Sequence, residues 1–485
     1  MQINLTPVTD ALSSEYVYVD NELQEAINKI SLFQILSRVG VRKRSGDSIH
    51  QVVFATLVWP LLPVKSIAGF CGKFIQGYIK GGMNVIYDFL KRENINWRSV
   101  STSVSKEVYV NHNLGVEKES AFCVDDSLKH RRGKKVEGVS SHFDHTEARH
   151  VMGQQVLQLG LATAKGFLSL DQQIYIGDKK VQGLQAAFQD QRHAVAKDYQ
   201  CALEDDKNKM FRAMLKRAVK NGFQSRHVNA DSWFGTKGNI ATAIDLFMIG
   251  LFMMKRGKLT YRFQGRTYTA KMLYESIKRE MTAQKGQRFR TYSLIVELNL
   301  TEEKSDPPQW VKVKLVFSKP RQCQKDTWVV LLCTNPDYTI EKILRIYALR
   351  WSIEVYFKEV KQNMGFLKEQ TGNYVIHYAS IHLAAIRYNL FFNLMLDNGS
   401  LSFGEIRSKI TGQLEKLSFA TVLWELFKSL IHGTLDRFEQ CIGTKMIKAI
   451  KGAIDDTVEN FLKKALQMDD DSCQRQMKAE ALGVL

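Results

Sequence analysis

Residues 1–115 alternate apolar and polar positions with the period of a helix. Apolar side chains recur at helical spacing over 21–41, and a basic run at 42–44 separates them from a second apolar segment at 48–62. Ser48 opens that second segment and predicts the start of its helix. Two helices around a basic turn fit a small DNA-binding unit or a plain helical hairpin, and the pattern alone does not separate the two.

From about residue 120 the helical period gives way to short apolar runs that predict strands. Three of them come in succession, the second and third as a hairpin, and the later ones alternate with polar helical segments. This alternation predicts an α/β sheet of mixed direction. The predicted strands are 121–127, 154–163, 167–177, 226–235 and 246–257, with a helix over 206–222.

The next segment, 258–335, alternates apolar and polar positions with period two, which predicts antiparallel strands throughout. Helical character returns at Thr339, which can cap a helix over 340–364, and continues through the C-terminal part. The strand block is therefore predicted to be an insertion between a sheet and that helix. We expect a helical N-terminal DNA-binding region, a core in two parts around the insertion, and a C-terminal helical region. Their predicted bounds are 1–115, 116–257, 258–335, 336–400 and 401–485.

A polar stripe follows one edge of the apolar face of the predicted helix 340–364. With about 100° of rotation per residue, the stripe occupies an arc of about 80°. It holds one carboxylate among several cations and consists of Tyr347, Arg350, Glu354, Lys358 and Lys361. The carboxylate lies where an ion or a buried partner could meet it. A ladder of intrahelical ion pairs, contributing a few tenths of a kcal/mol each, is the alternative.

Charge and composition narrow the class of partner. The 485 residues carry a formal net charge of +18, which favours a polyanionic partner, most often nucleic acid. No apolar run is long enough to span a membrane, and the N-terminus lacks the pattern of a secretory signal. Seven scattered cysteines form no C-x-x-C pair, as in a reduced cytoplasmic chain. No phosphate-binding G-x-x-x-x-G-K-[ST] loop argues for ATP.

Acidic residues end two of the predicted strands. Asp125 and Asp126 close the apolar run 121–127, and Asp231 closes the strand at 226–235. Each of them alone fits an ordinary turn. Together with Glu354 they form a rarer set, because converging carboxylates repel one another unless cations lie between them. Mg²⁺ prefers such oxygen ligands, and two ions about 3.5–4 Å apart can assist an in-line phosphoryl displacement.

The spacing Y-x2-R-x3-E-x6-K, formed here by Tyr347, Arg350, Glu354 and Lys361, resembles the signature of DDE transposases of bacterial insertion sequences. The group is the Y-R-E-K, or insertion sequence four, family. The order of two Asp, a strand-rich insertion and a Glu on a helix also matches, over roughly residues 115–390. The resemblance implies a ribonuclease-H-like mixed sheet core interrupted by a β-strand-rich insertion, with helical N-terminal and C-terminal regions.

The resemblance also implies a site. Asp125, Asp231 and Glu354 would be the catalytic acids and the ligands of two divalent ions, Mg²⁺ with Mn²⁺ as substitute. Family members tend to have D-x-[ST] at the first position, which favours Asp125, but Asp126 takes the role if the strand register shifts by one residue. The signature residues Tyr347, Arg350 and Lys361 would contact the transposon-end DNA, and Lys358 joins them by its angle alone.

Three other features carry weaker expectations. The basic run 129–135 is predicted to contact DNA phosphates, through Arg131, Arg132, Lys134 and Lys135. Histidines at 142, 145 and 150 fit a zinc site, but ordinary loop histidines are the preferred interpretation. Trp233 is expected to pack against the sheet. Trp310 and Trp328 are expected to do the same, with an unstacked nucleotide as the alternative.

The sequence therefore predicts a DNA transposase of the bacterial cytoplasm, associated with the nucleoid, that acts on terminal inverted repeats and on target DNA. Two ends must be held together, so a homodimer on double-stranded DNA is expected, and no membrane is involved. Relatives often free the element through a DNA hairpin. The alternatives are a ribonuclease-H-like nuclease without strand transfer and a transposase-derived DNA-binding protein without catalysis.

Overall fold

The structure is a computed structural model, and it describes most of the chain. The described residues are 22–42, 45–74, 79, 81–133, 135–144, 147–177, 184–257, 259–283, 288–302, 307–322 and 327–465.

The described residues form α-helices and β-strands that are numbered here in chain order. The helices are α1 Glu22–Lys29, α2 Leu32–Arg38, α3 Ile49–Val58, α4 Ile67–Lys73, α5 Gly82–Leu90, α6 Trp97–Asn111, α7 Ala194–Glu204, α8 Lys207–Lys220, α9 Lys237–Asp245, α10 Ala270–Ile277, α11 Ile340–Ala348, α12 Trp351–Gln362, α13 Tyr374–Asn398, α14 Phe403–Arg437, α15 Glu439–Ile442 and α16 Thr444–Ala465. The strands are β1 Ser120–His130, β2 Ser140–Asp144, β3 Arg149–Thr163, β4 Gly166–Tyr175, β5 His227–Ala230, β6 Ile249–Met253, β7 Thr260–Phe263, β8 Arg266–Thr269, β9 Phe289–Asn299, β10 Trp310–Pro320 and β11 Val329–Cys333.

The chain divides into two compact units. One, the helical unit, takes its described residues from 1–96, 363–371 and 375–485. The other, the α/β unit, takes its residues from 97–362 and 372–374. The predicted division into five regions is a finer one, and it stays a prediction.

In the helical unit, the segment predicted as one helix over 21–41 is two helices, α1 and α2. Ser31 between them has a positive φ of 55°, which a continuous α-helix does not allow. The predicted start at Ser48 is confirmed by a capping box, in which Ser48 and Gln51 each satisfy the other's backbone N–H. Residues 52–58 of α3 are all buried. A helix buried on every side has no free face for a DNA groove, which favours the hairpin alternative for this segment.

A buried arginine fixes the end of α3. Arg387 donates hydrogen bonds to the carbonyl oxygens of Thr56 at 2.6 Å, Leu57 at 2.9 Å and Met364 at 2.9 Å. Carbonyls in the last turn of a helix lack partners within the helix, so the guanidinium supplies donors that water supplies at an exposed end. Burial lowers the pKa of Arg387 to about 10.

The α/β unit is built on one mixed sheet, as the sequence predicts. Its strand order is β2-β3-β1-β5-β6-β11-β10-β9-β7-β8, with β4 paired to β3. The neighbours β1, β5 and β6 are parallel, and the other pairs are antiparallel. The hairpin predicted at 154–177 is confirmed as β3 and β4. This mixed α/β arrangement is consistent with a ribonuclease-H-like fold.

The strand-rich block continues this sheet. Its last strand, β11, pairs antiparallel with β6, so the block extends the sheet on the side of β6 that faces away from β5 and β1. The expectation of strands throughout is wrong at α10. Thr269 caps this helix by accepting the backbone N–H of Met272, and Leu273, Tyr274 and Ile277 bury one of its faces.

Candidate functional site

Two of the predicted acids lie side by side on parallel strands. The parallel pairing of β1 with β5 runs from Phe122 opposite Val228 to Val124 opposite Ala230. Asp125 and Asp231 each follow that last pair directly. The prediction that β1 ends at the acids is wrong, because β1 continues to His130 and pairs with β3 along its whole length. The acids lie where the parallel pairing stops and the antiparallel pairing continues.

The third acid lies on α12, and the predicted helix 340–364 is in fact two helices. Asn229 of β5 explains the break, because its side-chain amide donates to the carbonyl oxygen of Ile346 at 2.7 Å. In a continuous helix that oxygen would accept the N–H of Arg350, which instead donates to Tyr347 at 3.0 Å. The angles of the polar stripe across this break are therefore wrong. Glu354 lies in the first turn of α12, after the break.

The buried face of α12 holds Glu354 against the sheet. Ile353, Tyr356 and Val360 are buried where the helix packs on β1, β3 and β4. The ring of Tyr356 lies 5.1 Å from the ring of Phe167 in β4, between centroids. Because Glu354 borders this face, packing of the apolar side chains determines where its carboxylate lies.

Arg350 joins two of the three acids. Its Nη1 lies 3.0 Å from Oδ2 of Asp125, and its Nη2 lies 2.7 Å from Oε1 of Glu354. The Arg350 side chain is only 16% exposed. The hydroxyl of Tyr347 donates a long hydrogen bond of 3.4 Å to the carbonyl oxygen of Ala230, the residue before Asp231. Three of the four signature residues thus surround the point where the parallel pairing of β1 with β5 stops, next to Asp125 and Asp231.

The pKa of the Asp125 carboxyl is raised to about 7, first by burial and then by the charge of Asp231. Arg350 acts in the opposite direction, but more weakly. Burial also raises the pKa of Tyr347, and the charge of Asp231 contributes to this rise. Burial is therefore the main reason that the ionised form of Asp125 is disfavoured, and the neighbouring charge of Asp231 adds to it.

Asp126, the alternative first acid, has other partners. Its Oδ2 forms an ion pair with Nζ of Lys207 at 2.7 Å, and its Oδ1 accepts from Nε2 of Gln155 at 2.6 Å. Lys207 is the first residue of α8, whereas Asp125 contacts Arg350, immediately before α12. Successive side chains of a strand point to opposite faces, which accounts for the different partners of the two acids.

The remaining predicted DNA contacts are spread along β1 and α12. Lys358 and Lys361 are both exposed on α12. Burial of its ammonium group and the nearby Lys129 lower the pKa of Lys361, whereas Asp144 and Asp126 raise it. Lys361 therefore lies near the second half of β1.

The basic run 129–135 begins in the last two residues of β1 and continues beside β3. The backbone N–H of Arg131 donates to Met152 at 2.9 Å, and its Nε donates to Gln154 of β3 at 2.9 Å. Arg132 and Lys135 are exposed, as phosphate contacts require. Lys134 lies outside the described residues.

The histidines considered for zinc have ordinary surroundings where they are described. His142 is buried in β2, and its Nε2 lies 2.7 Å from the hydroxyl of Ser140. His150 lies edge-on to Phe143 across the β2–β3 pair. His145 lies outside the described residues. These contacts agree with the preferred interpretation of ordinary histidines.

A cluster that the sequence did not single out lies at the ends of β1 and β2. One ligand atom from each of His130, Asp144 and Glu147 lies within 4.8 Å of the others. Nε2 of His130 lies 2.6 Å from Oδ2 of Asp144, and Arg149 forms an ion pair with Glu147 at 2.5 Å. This partly exposed group is the one set of three ligand atoms among the described residues that lies close enough together to hold a metal ion.

The tryptophans differ from one another in their surroundings. Trp328 is buried and stacked on Tyr274, with 4.2 Å between ring centroids, as the packing interpretation predicts. Trp310 is partly exposed, and the guanidinium of Arg262 lies 4.0 Å from its ring centroid. The prediction is wrong for Trp233, which is 46% exposed and faces cations.

Carboxylates at positions 125, 231 and 354 are hard oxygen donors of the kind that Mg²⁺ and Mn²⁺ take. The pKa of Asp125 is raised first by burial of its carboxyl and then by the charge of Asp231, and a cation bound nearby would favour the ionised form. The chemistry of this donor set suits a divalent cation, but among the described residues only the ligand atoms of His130, Asp144 and Glu147 form a group of three within 4.8 Å of one another, and those of Asp125, Asp231 and Glu354 do not.

Comparison with protein families gives two overlapping matches, each to just under half of the chain. Residues 32–266 match the family described as DDE superfamily endonuclease, and residues 159–390 match the Transposase DDE domain. No curated protein matches the chain. The first match includes Asp125 and Asp231, and the second includes Asp231 and Glu354.

The two matches support a transposase or nuclease of the DDE class, a nucleic-acid-cleaving enzyme that acts on DNA. Enzymes of this superfamily generally use divalent metals. Among the described residues, no helix combines the length and the apolar character needed to cross a bilayer.

Proposed function

We propose that this protein is the transposase of an insertion sequence, of the Y-R-E-K type, which cleaves DNA at the element ends and transfers the 3′-hydroxyl into target DNA. One observation carries the proposal. Arg350 joins Asp125 to Glu354, while Asp231 follows the last pair of parallel residues on the strand beside Asp125. Three acids that are far apart in the sequence thus belong to one region of the sheet and of α12.

In this proposal Asp125, Asp231 and Glu354 hold two Mg²⁺ ions, for which Mn²⁺ substitutes. Bound metal of this kind activates the attacking oxygen and stabilises the leaving oxygen of an in-line phosphoryl transfer. Asp125 is preferred over Asp126, because Arg350 links Asp125 to Glu354, whereas Asp126 pairs with Lys207 and Gln155. The acids would hold the metal ions in position, and the ions would neutralise the charge of the reacting phosphate. No covalent enzyme intermediate is needed.

The cations beside the acids would hold the DNA. Arg350 would bind a phosphate once metal ions replace it as the partner of Asp125 and Glu354, and Lys361 can bind one as a point charge. Tyr347 contributes its hydroxyl, and Lys358 extends the same side of α12. The run of Arg131, Arg132, Lys134 and Lys135 would bind phosphates further along the duplex. Such contacts position DNA without reading its sequence.

The net charge of +18 also favours a large DNA interface. Transposition joins two element ends to one target, so the proposed active species is a homodimer on DNA. The helical N-terminal region, 1–115, would contribute to recognition of the ends, and 401–485 would complete the C-terminal region. A DNA hairpin step is compatible with the same acids.

The test uses labelled duplexes that carry the DNA flanking the coding region, a target plasmid, and Mg²⁺ or Mn²⁺. Joined products support the transposase, and cleavage without joining supports a DDE nuclease. Binding without cleavage supports a DNA-binding protein that has lost catalysis.

Glu354→Gln identifies the third acid. It should abolish cleavage and leave DNA binding intact, because it removes one negative ligand and keeps the shape of the side chain. Glu359→Gln on the same helix is the matched control and should cleave normally. Normal cleavage by Glu354→Gln would remove Glu354 from the site.

A further inference from the structure

An exposed tryptophan with two lysines lies directly beside the candidate site. Nζ of Lys207 lies 4.2 Å from the ring centroid of Trp233, and Nζ of Lys255 lies 4.6 Å from it. Trp233 is two residues after Asp231, and its backbone N–H donates to Oδ1 of that acid at 2.9 Å. We propose that Lys207, Trp233 and Lys255 form a phosphate clamp, defined by these three residues, that binds the DNA backbone beside the catalytic acids.

The turn after β5 is built to present Trp233 outward. Its neighbour Phe234 is buried, with its ring 5.6 Å from that of Phe211 in α8. A Cβ on Gly235 would approach the carbonyl oxygen of Met253 to 2.5 Å, so the turn lies close against the end of β6. With Phe234 anchored inside and Gly235 fixed against β6, the indole is held at the surface.

The two lysines reach the indole from different elements. Lys207 begins α8, and its side chain is only 10% exposed because it also pairs with Asp126. Lys255 follows β6 and is exposed. An ammonium near an aromatic ring is attracted by the negative charge of the ring face. Trp233 therefore orders two flexible side chains, and Asp126 fixes one of them.

Both ammonium groups lie within 4.6 Å of one ring centroid, and only that of Lys207 is paired with Asp126. A phosphodiester bound at this indole would accept hydrogen bonds from Lys255 and add a second anion beside Lys207. This assigns a role to Asp126 as a positioning residue for Lys207. It also places a backbone contact next to Asp231, in addition to those expected from Arg350 and Lys361.

The clamp rests on the proposed function, so its test measures DNA binding separately from cleavage. The assay uses the full chain in EDTA and a synthetic nicked duplex that carries the DNA flanking the coding region. Lys255→Ala should reduce the slope of log Kd against log salt by about one. Lys255→Arg should restore the slope. Lys216→Ala is the matched control, because it removes the same charge from an exposed site about 13 Å further along α8 than Lys207.

Trp233→Ala separates a clamp from a base-stacking platform. In the clamp, the variant weakens binding about fivefold, through loss of the cation–π contacts. Duplexes in which single phosphates are replaced by uncharged methylphosphonates then locate the contact. At one phosphate near the nick, the replacement should weaken binding by the wild type and leave Lys255→Ala and Trp233→Ala unaffected.

Three results would contradict the clamp. The first is a wild-type salt slope in Lys255→Ala, and the second is a reduced slope in Lys216→Ala as well. The third is an equal loss of affinity in the variants and the wild type at every replaced phosphate. In those cases DNA binding by the wild type leaves the proposed function standing. Absence of any DNA binding by the wild type would overturn both.

Discussion

The raised pKa of Asp125 predicts how stability depends on pH in the absence of metal. Asp125→Asn keeps the shape of the side chain and removes its ionisation. The Asp125 carboxyl has a pKa of about 7 in the folded protein, against an ordinary value of 3.8. Between these pH values the unfolded chain has released the proton and the folded chain has kept it. Stability therefore falls as the pH rises, and the loss is complete above about pH 7.

The size of the effect follows from the same two values. At about 1.4 kcal/mol per pH unit, ionisation of Asp125 costs the wild type about 2.5 kcal/mol between pH 5 and pH 8. The variant lacks this cost, so it gains about 2.5 kcal/mol relative to the wild type over that interval. For a unit of this size the gain corresponds to about 5–10 °C in Tm.

Calorimetry in EDTA across this pH interval measures the difference in Tm between the two proteins. A change in packing or in hydrogen bonding shifts the Tm of the variant equally at pH 5 and at pH 8. The informative quantity is therefore how the difference in Tm between variant and wild type changes with pH. Asp245→Asn, at the exposed end of α9, removes the same formal charge and should show no such trend. A constant difference for Asp125→Asn, or one that moves the other way, would refute the assignment of a buried acid beside Asp231.

Two further substitutions test the arginines. Arg350→Ala removes the cation shared by Asp125 and Glu354, so in EDTA at neutral pH it should destabilise the protein by about 3–5 kcal/mol. Mg²⁺ should restore part of the lost stability. An unchanged melting curve would contradict the role of Arg350 between the two acids. Arg387→Met leaves three buried carbonyl oxygens without their donors and should cost about 3–5 kcal/mol in denaturant unfolding. Full stability of Arg387→Met would mean that these hydrogen bonds contribute nothing net.

The sequence singled out Asp125 and Asp231 because each follows an apolar run, and apolar runs are what a buried strand requires. It could not show that β1 continues past them. Residues 127–130 are mainly polar, and only their backbone pairing with β3 keeps them in the sheet. Backbone pairing over such a distance has no signature in the pattern of side chains.

The break between α11 and α12 has a similar origin. No proline or glycine interrupts residues 340–362, and their apolar spacing is that of one helix. At the interruption Asn229, more than a hundred positions earlier, donates to the carbonyl oxygen of Ile346, which accepts the N–H of Leu349 and not that of Arg350 as in a continuous α-helix. Local propensity predicts a continuous helix, and a tertiary hydrogen bond overrides it.

Long-range pairs also explain one open alternative and one error about single side chains. The sequence left Asp126 as an alternative to Asp125, because their partners, Lys207 and Arg350, are remote in the sequence. Trp233 was expected to pack because large aromatic residues usually do. The lysines that reach it come from α8 and from the end of β6, and neither position has a recognisable spacing from Trp233.

The central claim is that Asp125, Asp231 and Glu354 bind the same divalent ions. Iron(II) replaces magnesium at such sites and, with ascorbate and peroxide, generates radicals that cut the polypeptide near the bound metal. The account predicts cuts near positions 125, 231 and 354 together, all suppressed by excess Mg²⁺. Cuts confined to the region of His130, Asp144 and Glu147, with none near 231 or 354, would contradict it.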